Sequence, residues 1–361
     1  MRALPAEQPG LMHRLMSSPR FQAWAARMPL VRRIVRAEGA AMFDLIQGFV
    51  RSQVLLALVE LDLLPRLATP RAPADLAGAA GMDEDRMRLL LQAGAGVGML
   101  RRLQGGRFTL TRRGAAFLGV PGLSAMVRHH GVLYRDLADP VAFLRGQTDP
   151  ELARFWPYVF GAAAAEDPAT ADRYSRLMTD SQVLVAEDTL RMVDFRGIGH
   201  LMDVGGGTGA FLRAVAARHP GLRLTLFDLP AVLQAAVLPP AIARAPGSFR
   251  DDPLPQGADA ISLIRVLYDH ADETVTALLS RVHDALPPGG RVIVSEPMSG
   301  GDRPDPATDV YFAFYCAAMR TGRTRSATEI AQLLAEAGFS GITPHPGPRP
   351  YVTSAVTATR T

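Results

Sequence analysis

The sequence predicts an α/β protein, a Rossmann-like and mostly parallel sheet behind a mainly helical N-terminal domain. Three observations carry this. From about residue 192 apolar strands alternate with amphipathic helices, the rhythm of a parallel sheet covered on both faces. Within residues 201–230 a glycine turn (Gly205, Gly206, Gly207, Gly209) joins an apolar strand closing on Asp203 to a helix, and a second strand then closes on Asp228. A chain of 361 residues is long enough for two domains, each with its own core.

The elements follow in order. Between residues 1 and 36, Arg2, Arg14, Arg20, Arg27, Arg32, Arg33 and Arg36 face one acid, Glu7. Phe21, Trp24, Met28, Val31 and Val35 recur there at helical spacing, and Pro29 is set to kink or split that helix. Such a basic amphipathic arm either packs on a partner subunit, the preferred reading, or makes peripheral contact with an anionic membrane. Residues 40–67 read as a long helix or a helix pair, and residues 74–78 as a short helix. The next helix starts at Met82 with Asp83, Glu84 and Asp85 in its first turn, where the helix dipole favours acids. Residues 99–111 form a hairpin, which completes a winged-helix unit. DNA is a poor partner for it, because three carboxylates would meet the phosphates and the net charge is only +4. Dimerisation is the better reading.

Residues 125–190 read as a helical cap carrying His129, His130, Phe155, Trp156, Tyr158 and Phe160, with structural roles favoured for the two histidines. The first domain is therefore set at 1–190 and the second at 191–361. In the second, strands are expected near 200–204, 222–227, 259–265, 291–295, 341–345 and 351–358, the last ones as an antiparallel tail. Helices are expected near 210–218, 230–236, 272–286 and 327–337.

Composition narrows the class. The single cysteine, Cys316, excludes an internal disulfide and a cysteine-based zinc site; no metal is expected, and a cytoplasmic setting is. The apolar run near 54–59 is cut by Arg51, Glu60 and Asp62, so no secretory leader and no membrane-spanning segment is expected. All 39 basic residues are arginine, which reads as the coding bias of a GC-rich bacterial genome.

The glycine turn suits two ligand classes. A dinucleotide site usually spaces its glycines so that pyrophosphate sits on a helix N-terminus. Here an acid two residues ahead of an uninterrupted Gly-Gly-Gly would repel pyrophosphate but could accept from the ammonium of a methionine tail. S-adenosylmethionine is thus favoured over NAD, and Asp228 lies where a ribose needs an acceptor, about 20 residues on. A bare tight turn with no ligand would leave both acids idle.

Beyond residue 40 the chain resembles the two-domain, S-adenosylmethionine-dependent O-methyltransferases of plant phenolic and bacterial secondary metabolism. The resemblance rests on Asp203-Val-Gly-Gly-Gly-Thr-Gly, Phe227-Asp-Leu-Pro, Asp252-Pro-Leu-Pro, Asp269 with Asp272-Glu273, Leu286-Pro-Pro-Gly-Gly-Arg, and Glu296 after a strand. It implies a class I methyltransferase sheet, a homodimer formed through the N-terminal domain, and a small apolar hydroxylated substrate. It also implies that Gly205 and Gly207 cradle the cofactor, Asp228 binds its ribose and Leu229 packs on its adenine. The family's usual Asp near the adenine amine is missing after Gly247, which leaves Ser248 and Phe249 there and Asp251 nearby. A lysine common at the position of Ile264 is absent too, with Arg265 beside it.

The catalytic positions depart further. Where the family carries His-Asp-Trp, with the histidine as base towards a phenol, this chain reads Tyr268-Asp269-His270. Glu296 keeps one flanking acid, and Thr324 stands where the second is expected. Tyr268 is the candidate by position, orienting the hydroxyl through a link to Glu296 or His270; His270 is the candidate base by chemistry. Against these stand Tyr268 as a mere strand cap and His270 as a solvent-facing loop residue. Phe312, Tyr315, Cys316 and Met319 share one helical face that in the family lines the substrate cavity, with Trp156 in the cap. Phe43-Asp-Leu-Ile-Gln-Gly-Phe-Val-Arg-Ser-Gln, Arg265-Val-Leu-Tyr-Asp-His and Tyr311-Phe-Ala-Phe-Tyr resemble the bacterial carotenoid O-methyltransferases of spheroidene and spirilloxanthin synthesis. Those enzymes methylate a tertiary 1-hydroxyl on a long polyene. A phenolic or polyketide hydroxyl, and a cofactor-binding relative that transfers no methyl (a hydroxylase, decarboxylase or scaffold), remain as alternatives.

Overall fold

The computed structural model describes residues 10–28, 31–155 and 181–361. They form two compact units, Met1–Leu118 and Gly119–Thr361. The first unit is helical. Helices α1 (Leu11–Met16) and α2 (Pro19–Ala25) precede α3 (Arg32–Glu60), and Pro19 sits at the first turn of α2, where a missing N–H costs nothing. Pro29 lies outside the described residues. Helix α3 is 29 residues long and buries only Leu58 and Val59, while Phe43, Leu45, Ile46 and Phe49 are exposed. Length and composition alone would let it cross a bilayer, as they would a core helix of a soluble protein.

Helices α4 (Leu63–Arg66), α5 (Pro73–Ala77) and α6 (Glu84–Gly96) follow, with strands β1 (Leu100–Arg102) and β2 (Phe108–Leu110) as an antiparallel hairpin and α7 (Arg112–Leu118) after it. Asp83 caps α6 by accepting from the Arg86 amide at 2.7 Å. Leu58, Leu63, Leu64, Leu67, Met87, Leu91, Leu100 and Phe108 are buried.

The second unit opens with α8 (Leu123–Asp136), α9 (Pro140–Leu144) and a helix, α10, described over residues 181–192. The stretch 123–155, counted with the first domain from the sequence, belongs to this unit. The reason is apolar packing: Val132, Leu133, Phe143 and Leu152 cluster with Tyr268, Tyr315 and Met319.

Beyond it runs a seven-stranded sheet. Its strands are β3 (His200–Val204), β4 (Arg223–Asp228), β5 (Ile242–Pro246), β6 (Ala260–Ile264), β7 (Arg291–Glu296), β8 (Phe339–His345) and β9 (Ser354–Arg360), in the order β5-β4-β3-β6-β7-β9-β8. The first five in that order are parallel and β9 runs antiparallel to both neighbours. Helices α11 (Ala210–Arg218), α12 (Pro230–Ala235), α13 (Asp272–Ala285), α14 (Ala313–Met319) and α15 (Ala327–Glu336) connect the strands. The expected strands and helices all form, with small shifts at their ends. Strand β5 was not foreseen. It is an edge strand reading Ile-Ala-Arg-Ala-Pro, with only Ile242 buried, so it lacks the apolar run that marks its neighbours.

Two cores cover the sheet. One joins Leu263, Val292 and Val356 to Val275 and Leu279 of α13 and to Ile330 of α15. The other joins Leu201, Leu226 and Ile293 to Phe211 and Leu212 of α11 and to Val185 of α10. All five residues of β6 are buried, as a central parallel strand requires. The order reverses between β3 and β6, and a ligand crevice opens outside the carboxyl ends of strands at such a switch point. Leu263→Ala should cost about 2–5 kcal/mol of unfolding free energy, read as a lower denaturant midpoint at unchanged slope.

Candidate functional site

Three loops meet at that switch point. The first is the glycine turn after β3. Gly205 and Gly207 have φ of 69° and 59°, values that glycine alone adopts at no cost. The Gly205 amide donates to the Phe227 carbonyl at 2.9 Å, tying the turn to β4. A Cβ on Gly206 would collide with Asp203 Oδ2 and Leu226, whereas one on Gly207 would meet nothing within 4 Å. The turn is thus pressed onto the strand ends on one side and open on the other.

Asp203 lies wholly buried beneath Gly206. Its Oδ1 accepts from the Ser262 hydroxyl at 2.6 Å and its Oδ2 has no partner. Burial drives its pKa up to about 7, against the pull of Ser262 and with the Asp228 charge adding to the rise. A cation delivered to Oδ2 would relieve that cost. Asp228 accepts from the Gly207 amide at 2.8 Å and the Leu229 amide at 2.7 Å, so its carboxylate is held at the lip of the open side with lone pairs to spare. Burial raises its pKa as well. An unpartnered buried acid, a bare backbone cradle and a fixed second acid fit the two ends of an aminoacyl nucleoside.

Ser248 is already engaged: its hydroxyl donates to Asp251 at 2.9 Å and its amide to Asp252 at 2.7 Å. The two candidates for the missing acid's place are thus hydrogen-bonded to each other. Phe249 packs edge-on against His270, with ring centroids 5.2 Å apart.

The second loop follows β6. Arg265 takes a positive φ of 57°, and its guanidinium donates to the Tyr268 hydroxyl (Nη2 2.9 Å, Nε 3.2 Å) and to Ser181 (Nη1 3.0 Å). Tyr268 is buried. Its backbone amide, not its hydroxyl, reaches Glu296, donating to Oε2 at 3.1 Å. The expected link between Tyr268 and Glu296 thus exists through the main chain, while the phenol belongs to Arg265. Burial raises the Tyr268 pKa well above its ordinary value, so the phenol keeps its proton.

His270 is not solvent-facing, being only 7% exposed. Its Nδ1 stands 3.1 Å from Arg250 Nη2. A guanidinium only donates, so Nδ1 holds a lone pair and the neutral ring carries its proton on Nε2. Burial, then Arg250 and Arg325, push its pKa down to about 4. His270 is a weak base whose one lone pair is taken.

The third loop supplies what the sequence did not disclose. Arg325 has no exposed surface, and its guanidinium donates to the Leu267 carbonyl (2.7 Å), the His270 carbonyl (2.9 Å) and Asp272 Oδ1 (2.6 Å). Nearby, Thr321 donates to the Asp269 carbonyl at 2.8 Å, and a Cβ on Gly322 would strike the Tyr268 carbonyl. Two carboxyl oxygens here have no partner: Asp269 Oδ1 and Glu296 Oε1. Burial pushes Glu296 up to about 7, although the Tyr268 amide and Arg325 pull it down.

Over these loops lies α14, preceded by a π-helical turn over Ala307–Phe312. Tyr315, Cys316 and Met319 are buried on its inner side and Phe312 is half-buried, with Tyr268 and Phe312 in edge contact at 6.4 Å. His129 and His130 of α8 hold this helix through Tyr315 (2.9 Å) and Tyr311 (2.7 Å). Trp156, Tyr158 and Phe160 lie outside the described residues, as does the side chain of Phe155. Among the described residues no cluster of His, Cys, Asp or Glu could hold a metal ion.

Residues 134–340 match the O-methyltransferase domain and residues 43–119 the O-methyltransferase dimerisation domain. The chain belongs to the O-methyltransferase family. It is 62% identical to a demethylspheroidene O-methyltransferase of Cereibacter sphaeroides, over 96% of this chain and 94% of that one. It is 56% identical to a demethylspheroidene O-methyltransferase of Rhodobacter capsulatus, over 98% and 91%. Among solved structures, human N-acetylserotonin methyltransferase in complex with S-adenosylmethionine superposes with a TM-score of 0.75 at 25% identity, covering 90% of this chain and 97% of that one. This O-methyltransferase is accordingly an enzyme, and a homodimer through its dimerisation domain. That domain match contains the exposed Phe43, Leu45, Ile46 and Phe49 of α3.

Glu296 binds its proton more tightly folded than unfolded, since its pKa rises from 4.5 to about 7. Its stabilising contribution is complete below the lower value and is lost as pH rises through the higher one. The thermal midpoint of Glu296→Gln, which keeps the neutral shape, should therefore gain on wild type between those two values and level off above them. A pH-independent difference in calorimetry refutes this.

Proposed function

We propose that this O-methyltransferase methylates the tertiary 1-hydroxyl of an acyclic carotenoid of the spheroidene and spirilloxanthin type. The observation that carries the reading is 62% identity along nearly the whole chain to a demethylspheroidene O-methyltransferase. The absence of a histidine at the position of Tyr268 supports it. A phenol of pKa ~10 gives its proton readily to a neutral imidazole, whereas a tertiary alcohol must lose its proton late, during transfer, to any group within hydrogen-bond reach.

S-adenosylmethionine is the methyl donor, and when bound it supplies an electrophilic methyl on a sulfonium. Asp228 takes the ribose, Leu229 the adenine, and Asp203 Oδ2 the ammonium of the methionine tail, with Gly205 and Gly207 giving backbone access. Ser248 and Phe249 border the adenine. Tyr268, its phenol fixed by Arg265 and its amide by Glu296, orients the substrate hydroxyl. Phe312, Tyr315 and Met319 line an apolar wall that excludes water from the reacting atoms. The chief contribution of the protein is then alignment of oxygen, carbon and sulfur.

The substrate is a membrane lipid, and the N-terminal arm gives the enzyme a way to meet it. Trp24 is 52% exposed beside Phe21, with Leu11, Leu15 and Ile34 also exposed among arginines. The enzyme is placed in the cytoplasm, peripheral to the inner or photosynthetic membrane.

Purified enzyme with a 1-hydroxylated acyclic carotenoid and methyl-labelled S-adenosylmethionine should yield labelled methoxycarotenoid, and a phenolic acceptor should yield far less. Preference for the phenol sinks the assignment. In flotation with anionic liposomes the full chain should rise with the vesicles, while a chain lacking residues 1–36 should remain below. Equal partitioning removes the membrane arm. Because burial holds Asp203 near pH 7 and a bound ammonium favours its ionised form, affinity for S-adenosylhomocysteine by calorimetry should weaken as pH falls below about 7. A flat profile in wild type that matches Asp203→Asn rules out the ammonium contact.

A further inference from the structure

The loop after β6 and the end of β7 together carry four groups able to hold a proton, and the geometry disqualifies two of them as acceptors. Tyr268 already bears a proton that burial keeps in place, and its oxygen accepts from Arg265. His270 has one lone pair, turned to Arg250. Two carboxyl groups remain, Asp269 and Glu296, each buried and each with one oxygen that no protein group contacts. An unpaired buried carboxyl oxygen is costly, and two whose charges act on one another call for a function.

Their surroundings say which of the two meets substrate. Glu296 turns Oε2 to the Tyr268 amide and is tied to the strand end below the loop. Asp269 sits on the loop itself, and its charge is felt by its neighbour Tyr268 and by Tyr315 and Cys316 on the buried side of α14. Its main chain is pinned by Thr321, and the carbonyls of residues 267 and 270 are pinned by Arg325.

We propose that Asp269 is the catalytic proton acceptor of this enzyme, with Glu296 as the positioning residue that holds the loop through the Tyr268 amide. The proposal rests on the methyl-transfer reading above. In the step, the substrate oxygen bonds to the methyl carbon as the carbon–sulfur bond breaks, and that electron pair stays on sulfur. The hydroxyl proton passes to Asp269 Oδ1 and is later released to solvent. Burial raises the Asp269 pKa to about 8; Arg265 and the Tyr268 hydroxyl oppose the rise and Glu296 adds to it. The other titratable or charged groups acting on the pair are Tyr315 and Cys316 of α14, together with Arg325 and Arg265, while His270 faces Arg250. An acceptor with a raised pKa is better matched to a weakly acidic alcohol than an ordinary carboxylate is.

The test compares the full-length wild type with Asp269→Asn, Asp269→Glu and Glu296→Gln. Calorimetry with S-adenosylhomocysteine verifies that each variant folds and binds. With that affinity kept, Asp269→Asn should lower kcat on the hydroxycarotenoid by about 100-fold or more, the scale of proton-transfer catalysis, and Asp269→Glu should recover part of it. A smaller loss overturns the proposal. The kcat/KM of wild type should rise with pH as a carboxyl ionises, and in Glu296→Gln the midpoint should move to lower pH; an unmoved midpoint overturns the coupling. Infrared titration of the protein alone decides the matter apart from turnover. It should reveal protonated carboxyl absorption above about pH 6, to which Asp203 and Glu296 also contribute, and one component of it, the last to titrate, should be missing in Asp269→Asn; no difference between wild type and Asp269→Asn counts against Asp269. Failure of wild type to methylate the carotenoid, with that component present, would fault the substrate assignment and leave the acceptor standing.

Discussion

A guanidinium with no exposed surface holds the catalytic loop in place. Arg325 donates to the carbonyls of Leu267 and His270 and to Asp272 at the start of α13, so one rigid fork fixes both ends of the segment that presents Tyr268, Asp269 and His270. Burying such a charge is expensive unless its donors are satisfied, and removing it would leave the carbonyls of Leu267 and His270 without their donor, at about 1–3 kcal/mol each, whereas Asp272 keeps Arg323. A lysine could not substitute, since its single ammonium cannot span three acceptors in a plane. Gly322 completes the constraint: with no Cβ it lets the α14–α15 loop lie against the Tyr268 carbonyl.

The electrostatics around that loop are arranged for a cation. Asp203, Asp269 and Glu296 are each driven towards neutrality by burial, and His270 and His129 are driven the same way from the basic side, both to about 4. The site therefore carries little charge of its own beyond its arginines while holding carboxyls close to ionisation. A positively charged ligand entering next to them would draw out carboxylate exactly where positive charge is being placed, and the free energy of binding would include that relief. The same low charge suits an apolar substrate.

The cap departs from passive packing. His129 and His130 are linked to Tyr315 and Tyr311, and these two pairs set the rotation of the covering helix over Tyr268. A π-helical turn immediately ahead of α14 shifts its register by the insertion such turns introduce, a device found at functional sites. Side chains read from sequence as a simple helical face are thereby distributed over two geometries: Phe312 belongs to the π turn and Tyr315, Cys316 and Met319 to the α-helix.

Much of this was legible in the sequence because it is written in local patterns. Alternating strands and helices, the glycine turn between Asp203 and Asp228, and the acids in the first turn of α6 depend on neighbours a few residues apart, and each forms where expected. Strand β5 escaped because an edge strand need not be apolar. The site divides along the same line. Glycine and acid spacing pointed to a nucleoside at the turn after β3, since such a ligand needs them at fixed separation along one β-turn-α unit. The partner of Asp203 is Ser262, 59 positions away, and the anchor of His270 is Arg325, 55 positions away; periodicity cannot reveal pairs that only sheet order and loop closure bring together. Whether a carboxyl ends unpaired, or a histidine faces a guanidinium, is settled by burial and by which donors reach it, and those are properties of the folded chain alone.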